Sequence, residues 1–386
     1  MMRPLPSAEP QVSCVRPDEF DDHLPLSKAR TIPARWYTDP AIYQIERERV
    51  FAPQWCILGR SEQVSRPNQF LTAEVAGFPL IIVRDEQNTL RGFYNVCRHR
   101  AAVLLTQETG QITKLRCRYH GWTYDLRGNL RGVPEFDGVE DFCREEHSLI
   151  PIETAVWSHL LAVRLRPNQT EFTEHLDPMP QWVHDAIENL EFVGRRVYEL
   201  NCNWKVFVDN YLDGGYHVNT VHPELAGMLD YSQYRTEVFF KTSVQTSPLS
   251  TDTGSVRQGV AQYWYVFPNF MLNLYDGVMD TNLVLPLGVD RCRVIFDFYF
   301  DRTGPASDPT FRQRSIETAH QIQQEDIGIC EEVQRGLSSG VFHTGRFSVK
   351  REAGGYHFHQ LLARAIMTTN TEPTRFSTEE TGHAKE

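Results

Sequence analysis

Hydrophobic and polar positions change period several times along the chain. Residues 1–30 mix prolines and charges with no period, which predicts a poorly ordered arm. ARWYTDPAIYQIERERVFAPQW follows at helical spacing, with Asp39 as N-cap and Pro40 in the first turn, giving a helical segment within 31–60. From Phe70 to Arg166 the runs shorten and alternate: FLTAEVA, PLIIVRD and LRGFYNV are split by turn signals, and WTYDLRGNLRG reads as a hairpin. AVWSHLLAVRLR closes an all-β section, 61–166. The stretch 167–367 is mixed. PQWVHDAIENL, NWKVFVDNYLDGGYH and PTFRQRSIETAHQIQQEDIGICEEVQRGL are helical in pattern, whereas YWYVFPNFMLNLYDG, TNLVLPL and RCRVIFDFYF read as strands. The polar tail 368–386 is expected to be disordered. The pattern predicts an α+β chain, with an all-β domain followed by a mixed one.

At 386 residues the chain has room for two or three cores. A net charge of −11 argues against a nucleic-acid partner and mildly favours a small cationic one. No run approaches the roughly 18 apolar residues of a membrane span. The first thirty residues lack an apolar core and carry Glu9, Asp18, Glu19, Asp21 and Asp22, unlike a secretory or transit segment. A cytoplasmic location is therefore expected, with the eight cysteines present as thiols or metal ligands.

Two pairs stand at ligand spacing: Cys97 with His99 in NVCRHR, and Cys117 with His120 in LRCRYHGW. Structural zinc pairs are usually spaced more widely than Cys97 and His99. Two sulfide-bridged irons accept the short gap, because cysteine and histidine of one loop then go to different irons. This is the Rieske [2Fe-2S] donor set. Gly121 lets backbone N–H groups approach the sulfurs, and Trp122 excludes water.

The order of CRH and CRYHGW in a β domain, then NWKVFVDNYLDGGYHVNTVH, resembles the large subunits of Rieske non-haem iron oxygenases. Within that family WYTDP, VFPNFMLN, EDIGICEEVQRGL and YHFHQLL are most similar to the choline monooxygenases. The resemblance spans roughly residues 30–366. It implies a helix-grip catalytic domain with an antiparallel sheet, O2 as co-substrate, and electrons from NAD(P)H through a separate reductase or ferredoxin. It also implies a homotrimer.

A Rieske cluster passes one electron at a time, so a second metal is needed downstream. His217 and His222 then read as two ligands of a mononuclear Fe(II), completed by a carboxylate in a facial triad. On the long C-terminal helical pattern, Asp326 falls within the apolar stripe of Ile316, Ala319, Ile327, Cys330, Val333 and Leu337, with Glu325 turned away. A carboxylate in such a stripe is costly unless paired or metal-bound, which selects Asp326. Asp209, Asp213 and His217 share one helical stripe. In most of the wider family an aspartate three residues before the first histidine bridges the two metal sites. Here that position is Gly214, so Asp213 is the first choice for the bridge and Asp209 the second.

The activity implied is hydroxylation of choline to betaine aldehyde hydrate. N-demethylation of a betaine, ring dihydroxylation and simple Rieske electron transfer are the alternatives. A trimethylammonium group calls for an aromatic box. The candidates are Trp264, Phe267, Asn269, Phe270 and Tyr275, with His359 beside them.

Overall fold

The computed structural model describes residues 15, 16, 18–222, 230–249 and 259–367. Asp39 accepts from the Ala41 N–H at 2.9 Å and starts the helix Pro40–Glu46. The first half then forms β1 (Cys56–Arg60), β2 (Gln69–Val75), β3 (Phe78–Arg84), β4 (Leu90–Tyr94) and β5 (Thr109–Gln111). A small hairpin sheet follows: β6 (Leu115–Arg116), β7 (Thr123–Tyr124) and β8 (Leu130–Gly132). With β9 (Pro151–Trp157) and β10 (Leu160–Arg164) the larger sheet runs β1-β10-β9-β4-β3-β2-β5, antiparallel throughout. The all-β section therefore starts at Cys56, inside the stretch expected to be helical, because β1 pairs along β10.

The second half folds around an antiparallel sheet of β11 (Leu190–Leu200), β12 (Arg235–Val238), β13 (Thr242–Pro248), β14 (Val260–Val266), β15 (Phe270–Tyr275), β16 (Val278–Pro286) and β17 (Cys292–Asp301). Its order is β11-β17-β16-β15-β14-β13-β12. Side chains alternate across this sheet. On one face Trp264, Phe270, Leu272 and Tyr299 pack with the helix Met179–Ile187. On the other, Tyr265, Met271 and Phe298 share a core with the helices Trp204–Tyr211, Pro309–Ser338 and Ala353–Met367. The α+β expectation holds.

The described part of the N-terminal arm is not loose. Phe20 is buried, Glu19 pairs with Arg35 and accepts from the Trp36 indole, and Gln360 donates to the Asp22 carbonyl. One buried aromatic and these bonds outweigh the poor local pattern. The tail 368–386 lies outside the described residues.

The start of the Trp204–Tyr211 helix is pinned from several sides. Asn203 donates to the carbonyls of Tyr37 (3.1 Å) and Val289 (2.6 Å). The Trp204 indole donates to Glu46 at 2.8 Å, and Lys205 Nζ lies 2.5 Å from the same carboxylate, both ions fully buried. Removing one partner of such a pair leaves an uncompensated charge, so Glu46→Ala is expected to cost about 3–5 kcal/mol. Chemical unfolding should show most of that loss restored by Glu46→Leu combined with Lys205→Met.

His175 is buried and donates from Nε2 to the Phe267 carbonyl at 2.6 Å. Burial lowers its pKa from 6.5 to about 3. The unfolded chain therefore binds the extra proton first, so this stability is whole above about 6.5 and is lost as pH falls toward 3. His175→Gln keeps a donor without titrating, and its unfolding free energy should fall less over that window.

Candidate metal centres and cavity

The two cysteine loops close alike: Ala101 N–H donates to the Cys97 carbonyl and Gly121 N–H to that of Cys117, both at 3.0 Å. Gly121 sits at φ +73°, where an added Cβ would come within 3.3 Å of Pro134. The hydroxyl of Tyr124 lies 3.4 Å from Cys97 Sγ and accepts from the Arg98 N–H at 3.0 Å. The rings of His99 and His120 lie 4.6 Å apart, and Trp122 stacks on His99 at 4.8 Å. His99 Nδ1 is buried with no hydrogen-bond partner. Burial, His120 and Arg100 lower the His99 pKa, favouring the neutral form that ligates metal. Two buried thiols and a neutral, unpartnered imidazole nitrogen suit a cluster of this donor type. His120 and Tyr119 stand exposed at the tip, Tyr119 at 61%.

In the second half His217, His222 and Asp326 bring their ligand atoms within 4.8 Å of one another. His222 Nε2 is 3.0 Å and His217 Nε2 3.6 Å from Asp326 Oδ1. Each imidazole is held from behind. His217 Nδ1 donates to Asp213 at 2.6 Å, and His222 Nδ1 donates to Glu325 at 2.6 Å. Asn210 donates to Asp326 Oδ1 at 2.7 Å. Burial alone would lower the His222 pKa, but Asp326 and Glu325 outweigh it and raise it. Two Nε2 atoms and one carboxylate form a facial donor set suited to Fe(II), with carboxylates fixing ring tautomer and orientation.

Sequence reasoning left Glu325 aside because it lies off the apolar stripe. It turns toward His222 because the histidine loop covers that side of the helix. Val333, placed in that stripe, is 44% exposed. The missing carboxylate three residues before His217 has a steric cause: a Cβ on Gly214 would meet the Arg351 carbonyl oxygen at 2.1 Å. Asp213, one residue earlier, reaches the imidazole instead. Asp209 faces elsewhere, accepting from Tyr37 at 2.5 Å and His359 at 2.8 Å.

A cavity of about 110 Å³ opens onto His217, His222 and Asp326. Its sheet side is one cross-strand row, Gln245, Tyr263, Asn273 and Asp280, with Tyr275 and Asn282 on the same side. Tyr211 and Tyr234 face it from outside the sheet. Of the box expected from sequence, Tyr275 lines the cavity. Trp264 and Phe270 alternate to the opposite face. Phe267 packs on Phe358, Asn269 donates to the Val284 carbonyl, and His359 belongs to the Asp209 cluster, so none of the three lines it. The signal that finds this face is Asn273, a polar residue within an otherwise apolar strand.

An all-β half with a Cys2His2 loop pair and a mixed half with a two-histidine, one-carboxylate centre define a Rieske oxygenase large subunit. The Rieske [2Fe-2S] domain family matches residues 54–143, and the ring hydroxylating alpha subunit (catalytic domain) family matches residues 187–368. The chain is 38% identical to the chloroplastic choline monooxygenase of Arabidopsis thaliana over 362 residues, 89% of this chain and 85% of that one. It is 29% identical to the carnitine monooxygenase oxygenase subunit of Escherichia coli (strain K12), covering 92% and 97%. A solved quaternary ammonium Rieske monooxygenase, described for carnitine oxidation and inter-subunit electron transfer, superposes with a TM-score of 0.80 at 26% identity, covering 91% and 98%. The chain belongs to the Rieske non-haem iron oxygenases, whose members bind a [2Fe-2S] cluster and a mononuclear iron. Among the described residues no helix is long and apolar enough to cross a membrane.

Removing either supporting carboxylate is expected to weaken iron retention at the mononuclear site about 10- to 100-fold while leaving the [2Fe-2S] absorption unchanged. Metal analysis of Asp213→Asn and Glu325→Gln after dialysis against a chelator checks this.

Proposed function

We propose that this protein is the oxygenase component of a Rieske monooxygenase that hydroxylates a small quaternary ammonium substrate, choline, at its carbinol carbon. The observation that carries this reading is the tyrosine-lined cavity opening directly onto His217, His222 and Asp326. A trimethylammonium group has no N–H to donate, so π faces are its natural partners. Tyr263 and Tyr275 stand edge-to-face at 6.0 Å, Tyr234 stacks on Tyr263 at 6.4 Å, and Tyr211 adds a fourth ring. The choline and carnitine monooxygenases among the relatives support a quaternary ammonium substrate.

Cys97, His99, Cys117 and His120 would hold the [2Fe-2S] cluster, and His217, His222 and Asp326 the mononuclear iron. That iron supplies O2 activation when bound. The chain's own part is geometric. Asp213 and Glu325 hold the imidazoles, Asn210 holds Asp326, and the cavity confines the substrate beside them. In the overall reaction choline takes one oxygen atom from O2. The other leaves as water with two protons and two electrons, giving betaine aldehyde hydrate. The electrons come from NAD(P)H through a partner reductase or ferredoxin.

A homotrimer is the assembly we infer, with electrons crossing from the exposed His120 edge of one subunit to the mononuclear centre of the next. An exposed cleft beside Asp209 and Tyr37, flanked by Val333 and Phe342, supports this docking. Asp213 is the residue we assign to bridging, through its bond to His217.

Mass spectrometry of products tests the reading. Enzyme reduced anaerobically by a reductase or chemical donor is mixed with oxygenated buffer holding choline, glycine betaine and carnitine in competition. Betaine aldehyde is the expected product. Dimethylglycine with formaldehyde would make the enzyme a demethylase, and oxidation of carnitine alone would remove the choline assignment.

A further inference from the structure

We infer that Gln323 reads the substrate's hydroxyl group and so sets which carbon meets the metal centre. The inference rests on the choline reading above. Gln323 lines the cavity, is 2% exposed, and its Nε2 has no hydrogen-bond partner. A buried amide donor left unpaired is destabilising, and that cost disappears when a ligand oxygen enters the cavity. Five neighbouring polar side chains are already engaged. Asn210 donates to Asp326, Asn273 to Asp280, and the Gln245 amide to the Tyr211 carbonyl. The Tyr211 hydroxyl donates to Asn273 Oδ1, and that of Tyr234 to Gln245 Oε1.

Position adds direction. Gln323 lies three residues before Asp326 on the helix Pro309–Ser338, hence on the same face and beside the triad. The aromatic rings Tyr263 and Tyr275 belong to the sheet across the cavity. A choline molecule with its ammonium on the sheet side and its hydroxyl at the Gln323 amide presents the carbinol carbon, not an N-methyl group, next to Asp326. Gln323 is thus a substrate-positioning residue that separates carbinol hydroxylation from N-demethylation.

The test compares choline with ethyltrimethylammonium, the same cation without its hydroxyl, on wild type, Gln323→Leu and the near-isosteric Gln323→Met. Calorimetric binding under anaerobic conditions should show choline weakened roughly tenfold in either variant, with ethyltrimethylammonium unchanged. Turnover of choline by the variants should release formaldehyde that the wild type does not. Equal loss for both cations, or loss for neither, would overturn the role of Gln323 and leave the choline reading standing. Wild-type enzyme that binds neither cation would remove the choline reading, and this inference with it.

Discussion

His217 and His222 each donate an Nδ1 proton to a carboxylate, Asp213 for one ring and Glu325 for the other, and this constraint fixes where both Nε2 lone pairs point. The two rings, 5.0 Å apart and 77° from coplanar, then converge on Asp326, itself held by Asn210. Four of the residues in this arrangement lie within the short stretch 210–222, and the other two, Glu325 and Asp326, are adjacent on one long helix. The triad needs no long-range adjustment to form. It needs the histidine loop and that helix to stay in register.

The cavity depends on a different constraint, the parity of the strands. Gln245, Tyr263, Asn273 and Asp280 meet in one row because their strands pair antiparallel in that register. A shift of one residue on β14 or β15 would exchange this row for Trp264 and Leu272, turning a polar-aromatic wall into plain core. The large residues on the opposite face act against such slippage, since Trp264 and Phe270 are buried there against the helix Met179–Ile187.

This difference decides what was legible in the sequence. The Cys97–His99 and Cys117–His120 loops, the spacing of His217 and His222, and the placement of Asp326 are local patterns, set by neighbours in the chain. The long helix and the strands β14 to β17 were equally plain from periodicity, whereas β11, β12 and β13, with no clean alternation of apolar residues, were not assigned. The cavity wall was misplaced because aromatic content was weighed above parity: Trp264, Phe267 and Phe270 carry the bulk, but Asn273 and Asp280 line the cavity. Gln323 falls in the same stripe as Asp326 and was passed over because only carboxylates were weighed there, whereas Glu325 was set aside for a related reason. A helical wheel shows which residues share a face but not which element covers the next one.

The residues behind the site show why a buried ion pair is kept where apolar packing would be equally stable. Asp213 and His217 follow directly from the helix Trp204–Tyr211, so a rotation of that helix would carry both away from Asp326. Its first turn is held by directional contacts: Asn203 to two backbone carbonyls, Trp204 and Lys205 to Glu46. Its last turn is held by Asp209, clamped between Tyr37 and His359. Apolar contacts tolerate a small rotation, whereas hydrogen bonds to fixed partners at both ends do not. Desolvating Lys205 and Glu46 offsets most of their attraction. What the pair contributes is a single helix phase, and with it a single position for Asp213 beneath the imidazole.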